Sequence, residues 1–509
     1  MAKRIGVAAS GSAEVTQTAV DILEAGGNAF DAVLGALCTA SIAEPLLASL
    51  GGGGFLLALP DGQKPRVYDF FCQTPQKHRP EDEIDFYPII ANFGTAEQEF
   101  QIGLGSSAVP GVVAGIFEAH KDLGRMPVAE IMTPAAELAR SGVEVDYFHA
   151  YIARILETIM RATPDSFALY ESPSNPGELI TQGELHRNPE AAAAFEGLME
   201  EGPDLFYRGE WARQLADDCA EKGGLITMGD LAAYRVERRD PVVFNYRGTR
   251  VAINPPPSPG GCLVAFALGV LSDWERSGAE WGSEAHMLNL LRGMRAASVA
   301  RHTFSMEAGL DREVMGRLLD PQTIRDWQSS LELHSLFSRG TTHISVADSD
   351  GNIASLTASN GEGCSYVLPG TGIMLNNMLG EEDLHPAGFN RWKPGTRLAS
   401  MMSPAVAEAP DGTRYALGSG GSNRIRSAVT QVLLNLFEFG MTPGQAVSSP
   451  RIHLEGQLLS TEPGIPKAAL DALDAAVPSS HHWPEENLFF GGVHTVSVGH
   501  GNKFDGAGD

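Results

Sequence analysis

Period-two alternation is clearest in the stretch TTHISVADSDGNIASLTAS, Thr341 to Ser359, where Ile344, Val346, Ile353 and Leu356 are set among small or polar neighbours. Alternation of this kind marks strands with one buried face, and Asp348 to Asn352 is turn chemistry, so the stretch predicts a β-hairpin. Helical spacing dominates the first half. Val15 to Ala25 carries an apolar stripe stopped by Gly26-Gly27, and Asn28 is placed to cap the nearly apolar run Ala32 to Ala43. Pro110 to Leu123 and Pro127 to Ser141 are each opened by proline and followed by glycine, the ordinary punctuation of a helix.

Between these, GGGGFLLALPDG predicts a glycine hinge, a short strand and a turn, with RVYDFF as the partner strand. Residues 146 to 211 follow a helical pattern with polar loops. PVVFNYRG and TRVAIN are strand patterns, PPPSPGG is a stiff bend, and an apolar helix begins near Cys262. Helical spacing continues to about Asp326, and 327 to 340 has the weak periodicity of a surface loop. Beyond Thr341 strands prevail (GIMLNN, PAVAEAPDGTRYALGS, GVHTVSVGHG), interrupted by a helix from Ser427 to Phe439. No 20 to 50 residue repeat and no linker divides the chain, which predicts a single mixed α/β domain.

Composition narrows the function classes. The 509 residues carry a formal charge of −26, which argues against a polyanionic partner such as nucleic acid. The longest nearly apolar run is too short to cross a bilayer, and the N-terminus has no secretory core, so neither a membrane partner nor export is expected. Five scattered cysteines without a C-x-x-C pair favour reduced thiols and a cytoplasmic location.

Among candidate sites, Gly51 to Gly54 lacks the lysine of a phosphate loop and is expected to serve tight packing. His481-His482 lacks spaced companion ligands and is expected in a solvated loop rather than a metal site. LGSGGSNRI follows a strand and precedes a helix, so Gly420 and Gly421 are placed to present consecutive N–H groups as an oxyanion hole, although glycine pairs more often mark turns. Thr341 has a bland reading as a strand start and a chemical one. A hydroxyl needs a base, and cutting the chain between Gly340 and Thr341 would free an α-amino group, which titrates at about 8, to act as one.

Nine segments in order resemble the γ-glutamyltransferase (glutathione hydrolase) family of the N-terminal-nucleophile hydrolases: GGNAFDAV, GGGGFLL, PGVVAGIFEAHKDLG, GGLITMGDLAAY, PPPSPGG, TTHISVADSDGN, GIMLNNM, SMMSP and GSGGSNRI. The resemblance implies an αββα sandwich cut before Thr341 into a large subunit, 1–340, and a small catalytic one, 341–509, that stay paired. It implies that Thr341 attacks a small-molecule amide, forms an acyl-enzyme, and passes the acyl group to water or an amine, without metal or organic cofactor. Gly420 and Gly421 match the family's oxyanion glycines, and Ser359 falls where the family has a threonine bonded to the nucleophile.

Departures cluster where the family grips its substrate. Phe71, in DFFCQTP, stands at the position of the arginine that binds the α-carboxylate, and phenylalanine makes no charged pair. After LNN come Met378, Leu379, Gly380, Glu381 and Glu382; Glu381 keeps a carboxylate in register, whereas Met378 loses a polar partner. Ser400-Met401 replaces a serine pair, and Asn360 lies one step from the expected asparagine, with Gly361 in its place. Arg397 and Arg424 are open between supplying a substitute charge and bonding loop carbonyls. The expectation is therefore a self-processing threonine amidohydrolase or acyltransferase. One alternative is an acylase for a non-γ-glutamyl amide of oxamate, glutaryl or aryl-acyl type. A different alternative is an unprocessed binding protein.

Overall fold

The computed structural model describes the whole chain except residues 1–4, 46, 93–96, 275–278, 305, 307–309, 329–340 and 386–387. Gly340 and most of the expected 327–340 loop fall outside the described residues. Two six-stranded sheets form the centre. The first consists of β1 (Gly6–Ser10), β2 (Gly53–Leu59), β3 (Arg66–Phe70), β4 (Glu237–Arg239), β7 (Thr342–Asp348) and β8 (Ile353–Ser359), in the spatial order β1-β7-β8-β2-β3-β4. The second takes β5 (Val242–Tyr246), β6 (Thr249–Ile253), β9 (Ala405–Glu408), β10 (Arg414–Ser419), β11 (Val493–Gly499) and β12 (Lys503–Ala507), in the order β12-β11-β10-β9-β6-β5.

Helices cover both outer faces, which completes the αββα sandwich. On the first sheet lie α1 (Ala13–Glu24), α2 (Ala29–Ala43) and α3 (Val112–Leu123), with α4 (Val128–Ser141) and α6 (Pro189–Glu201) outside them, while α5 (Tyr147–Ile155) packs in a separate cluster with Phe100 and Ile102. On the second lie α7 (Pro259–Leu271), α8 (Glu284–Thr303) and α9 (Arg424–Phe437). The Asn28 side chain accepts from Phe30 N and Asp31 N, and Asp31 returns a bond to Asn28 N, so the expected cap closes as a full capping box. Helix α9 starts three residues earlier than the expected Ser427.

Two expectations need correction. The hairpin β7–β8 was expected to bury one face; all residues of both strands are buried, because the sheet is sandwiched between α2 and the second sheet. His481 and His482 belong not to a loop but to a short strand, Ser479–His482, parallel to Leu458–Thr461, with His482 Nδ1 bonded to Thr461 Oγ1 at 2.8 Å. Among the described residues no group of three or more His, Cys, Asp or Glu is arranged to hold a metal, and no helix is long and apolar enough to cross a membrane. All five cysteines are buried and free.

The glycine run is a packing device. A Cβ at Gly51 would lie 2.6 Å from Met374 O, one at Gly52 2.5 Å from Ser359 O, and one at Gly54 2.6 Å from Thr357 O. Side chains there would push β2 away from β8.

Candidate active site

Strand pleating sorts the hairpin into two chemistries. Ile344, Val346, Ala354, Leu356 and Ala358 pack under α2 in one apolar cluster. The opposite face carries His343, Ser345, Ser355 and Thr357, all buried between the sheets. His343 Nδ1 is hydrogen-bonded to Thr357 Oγ1 at 2.7 Å and its Nε2 to Ser345 Oγ at 2.9 Å. Ser345 donates to His494 O, and Ser355 donates across the gap to Leu417 O at 3.0 Å. Gly418 makes room for the imidazole, since a Cβ there would stand 2.3 Å from His343 Cε1. Burial holds the His343 ring well below the usual histidine range, with His494 adding to the effect.

Thr341 ends this polar column. The β7–β8 ladder runs to Thr342 opposite Ala358, and one further step sets Thr341 opposite Ser359. Thr341 is half-buried, whereas Ser359 is buried and accepts from Gly361 N at 3.0 Å. From the second sheet, Gly420 follows β10 and comes so close that a Cβ on it would lie 2.0 Å from Thr341 O. Gly421 and Ser422 have φ of 107° and 48°, the turn that swings the chain into α9. Among the described residues neither the Gly420 nor the Gly421 N–H donates to a backbone carbonyl. Two chain segments some 80 residues apart are thus brought to one point.

Phe71 and Cys72 cross over Gly53, whose added Cβ would meet Cys72 N at 2.7 Å and Cys72 Sγ at 2.9 Å, and Gly53 is the ladder partner of Ser359. Phe71 is fully buried and stacks on Phe55 with ring centres 5.4 Å apart. Its carbonyl accepts from Tyr234 Oη and from Arg397, which also donates to Arg235 O and lies 3.6 Å from Asp69. Arg397 is therefore a structural arginine. Arg424 lies over the Phe489 ring at 4.7 Å, with Nε 3.4 Å from where a Gly421 Cβ would stand.

Asn360 is buried, and neither atom of its side-chain amide has a hydrogen-bond partner; its N–H donates to Leu47 O at 3.2 Å. The expected asparagine position is closed to side chains: Gly361 has φ of 65°, and a Cβ there would lie 2.0 Å from Asn377 Oδ1 and 2.6 Å from Glu381 Oε1. Glu381 and Met378 are buried beside this turn, whereas Glu382 is exposed. Ser400 Oγ accepts from Met402 N, and Met401 is buried with its carbonyl packed against Gly260.

Three nearby features carry no sequence signal strong enough to single them out. His343 and Thr357 look like ordinary alternating strand residues. Glu44 ends α2 with a buried carboxyl that makes no hydrogen bond of ordinary geometry. Burial pushes it up to about 7, with Thr342 opposing the shift and Glu14 adding to it. A lone acid at the end of an apolar run was its only trace.

Residues 15–509 match the family model described as Gamma-glutamyltranspeptidase. The chain is 30% identical over 508 residues to an acylase ACY 1 proenzyme of Pseudomonas sp. (strain SE83), covering 96% of this chain and 88% of that one. It is 29% identical over 467 residues to a glutathione hydrolase proenzyme of Pseudomonas aeruginosa, covering 86% and 80%. A solved cephalosporin acylase from Bacillus halodurans shares the fold with a TM-score of 0.84 at 23% identity, over 99% of this chain and 95% of that one. The chain belongs to the gamma-glutamyltranspeptidase family.

Proposed function

We propose that the chain cuts itself between Gly340 and Thr341 and then works as a threonine amidohydrolase or acyltransferase on small amides. Thr341 Oγ1 attacks the amide carbonyl, and its freed α-amino group takes the proton and hands it to the departing amine. The acyl group stays on Oγ1 until water or an acceptor amine removes it. The N–H groups of Gly420 and Gly421 hold the oxyanion, and Ser359 supports the nucleophile as a hydrogen-bonding hydroxyl. The observation that carries this reading is the close approach of Gly420 to Thr341 at the end of the buried polar column. Five free, buried cysteines support a reducing compartment, the cytoplasm.

For the acyl part we favour an amide other than γ-glutamyl. Phe71 is stacked on Phe55, Arg397 is committed to carbonyls and Asp69, and neither offers a charge to an α-carboxylate. Glu381 beside Gly361 favours the rival reading, in which the amino group of a γ-glutamyl head is still recognised. The test is purified protein on a denaturing gel, followed by a substrate panel. Two bands, the smaller beginning at Thr341, are expected, with kcat/KM lower for γ-glutamyl-p-nitroanilide than for glutaryl, oxamate-type or aryl-acyl amides. A single band after long incubation would end the reading as an enzyme, and a micromolar KM for the γ-glutamyl compound would end the choice of acyl group.

A further inference from the structure

Just past the end of the β10–β11 ladder two pairs of glycines face each other. Ser419 is the last ladder partner, opposite Val493, so one and two further steps set Gly420 opposite Gly492 and Gly421 opposite Gly491. The two segments press together here. A Cβ on Gly491 would lie 2.3 Å from Gly420 O and 3.0 Å from Ser419 Oγ, and Gly491 Cα is 3.4 Å from where a Gly421 Cβ would stand. Gly491 has φ of 72°, so conformation as well as space excludes a side chain there.

A ladder that continued would spend the backbone groups of both pairs on each other. Instead the Gly491 carbonyl goes elsewhere, accepting from Arg451 Nη1 at 2.5 Å. Arg451 immediately precedes the short strand Ile452–Glu455, is buried, and is itself fixed. Its Nε and Nη2 donate to the buried Glu462 carboxylate at 3.2 and 3.1 Å, its backbone N–H donates to the same carboxylate at 2.7 Å, and Nη1 also pairs with Asp509. A guanidinium held on its fork by a carboxylate has one orientation, which a single ammonium nitrogen cannot reproduce.

Resting on the reading of Gly420 and Gly421 as an oxyanion hole, we infer that Arg451 is a positioning residue for that turn. By holding the Gly491 carbonyl it keeps the facing segment from pairing with Gly420 and Gly421, and it seats Gly491 against their backbone. Among the described residues neither glycine N–H donates to a backbone carbonyl, which leaves both for a substrate oxyanion. The contacts run in one line. Arg451 fixes Gly491, Gly491 backs Gly420, and Gly420 rests on Thr341, where an added Cβ would lie 2.0 Å from the carbonyl oxygen. An oxyanion exists only in the transition state, so a turn out of place should lower kcat and leave KM nearly alone.

The experiment measures kcat and KM of the processed variants on one amide substrate. Arg451→Lys, which keeps the charge and loses the fork, should lower kcat by at least about tenfold with KM within about twofold. Glu462→Gln keeps the shape and weakens the hold on Arg451; it should give the same split at smaller size, and it stands in where the lysine variant does not fold. Added to Gly421→Val, Arg451→Lys should cost less than about twofold more, because the turn it positions is already displaced. Leu454→Ala removes a buried side chain from the same strand and should lower stability without changing kcat or KM. Cleavage before Thr341 should slow in the Arg451 and Glu462 variants, since Gly420 rests on the Thr341 carbonyl; a folded variant left uncut while Leu454→Ala is cut therefore also supports the assignment. Wild-type kcat in Arg451→Lys, a raised KM at unchanged kcat, full additivity with Gly421→Val, or the same split in Leu454→Ala would each overturn it. Unchanged kcat in Gly421→Val alone would instead remove the oxyanion hole on which the assignment rests.

Discussion

The two faces of the β7–β8 hairpin are equally buried and built from opposite chemistry. Under α2 the strands present Ile344, Val346, Ala354 and Leu356, which contribute by burial and close packing. Between the sheets they present His343, Ser345, Ser355 and Thr357, tied by short hydrogen bonds, and this is the face that ends in Thr341. An aliphatic face tolerates small slips of its neighbours, whereas a hydrogen-bonded column fixes position and orientation, which a nucleophile requires. One hairpin thus separates stability from placement by the two-residue period alone.

Changing Thr341, the proposed nucleophile, has the largest expected effect. Thr341→Ala should abolish cleavage, leaving one band, and lower turnover by at least about 10³-fold, because the same oxygen serves both steps. Within the hairpin, Leu356→Ala should lower unfolding free energy by about 2–5 kcal/mol in urea titration, as loss of a buried leucine does. Ser355→Ala, across the strand, should cost only about 1 kcal/mol, the net worth of one hydrogen bond. Equal losses would erase the distinction between the faces.

The faces should also respond to pH with opposite slopes. Glu44, on the α2 side, stands at about 7 against 4.5 for the free carboxyl, so the folded state holds its proton longer than the unfolded one. Stability should fall by up to about 3 kcal/mol as pH rises from about 4.5 to about 7, and Glu44→Gln should remove that slope. His494, on the column side, is lowered by burial to about 4 from 6.5, so its contribution is present above 6.5 and lost as pH falls toward 4. Chemical denaturation across pH 4 to 8, with and without Glu44→Gln, separates the two. On rate, Gly421→Val should lower kcat by about 10²-fold in the processed protein, because valine is strained at a φ of 107° and displaces one oxyanion donor. Unchanged kcat would take the glycine turn out of the chemistry.

Local signals read well where the cause is local. The Asn28 cap, the prolines before α3 and α4, and the hairpin turn are short-range choices, visible in a few residues each. What the sequence did not disclose was set by distant partners. Burial of both hairpin faces depends on a second sheet that begins at Val242, and the strand at Ser479–His482 exists because Leu458–Thr461 lies beside it. The same limit holds at the site. The fold brings Thr341 and Gly420, both singled out in the sequence, to one point, but the carbonyl contacts of Arg397 and the unpaired amide of Asn360 appear only once the chain is closed.

The five free cysteines have a practical consequence. Each is buried, and burial pushes the thiols of Cys38, Cys219, Cys262 and Cys364 up to about 12, so almost no thiolate is present at neutral pH and no reagent can reach one. Every thiol becomes reactive only when its surroundings open. The protein therefore carries its own clock for opening: iodoacetamide labelling mapped by mass spectrometry would time the release of the α2 layer at Cys38 separately from the α7 layer at Cys262. A bound substrate or product amine would be seen as a slowing of that clock, without any added label.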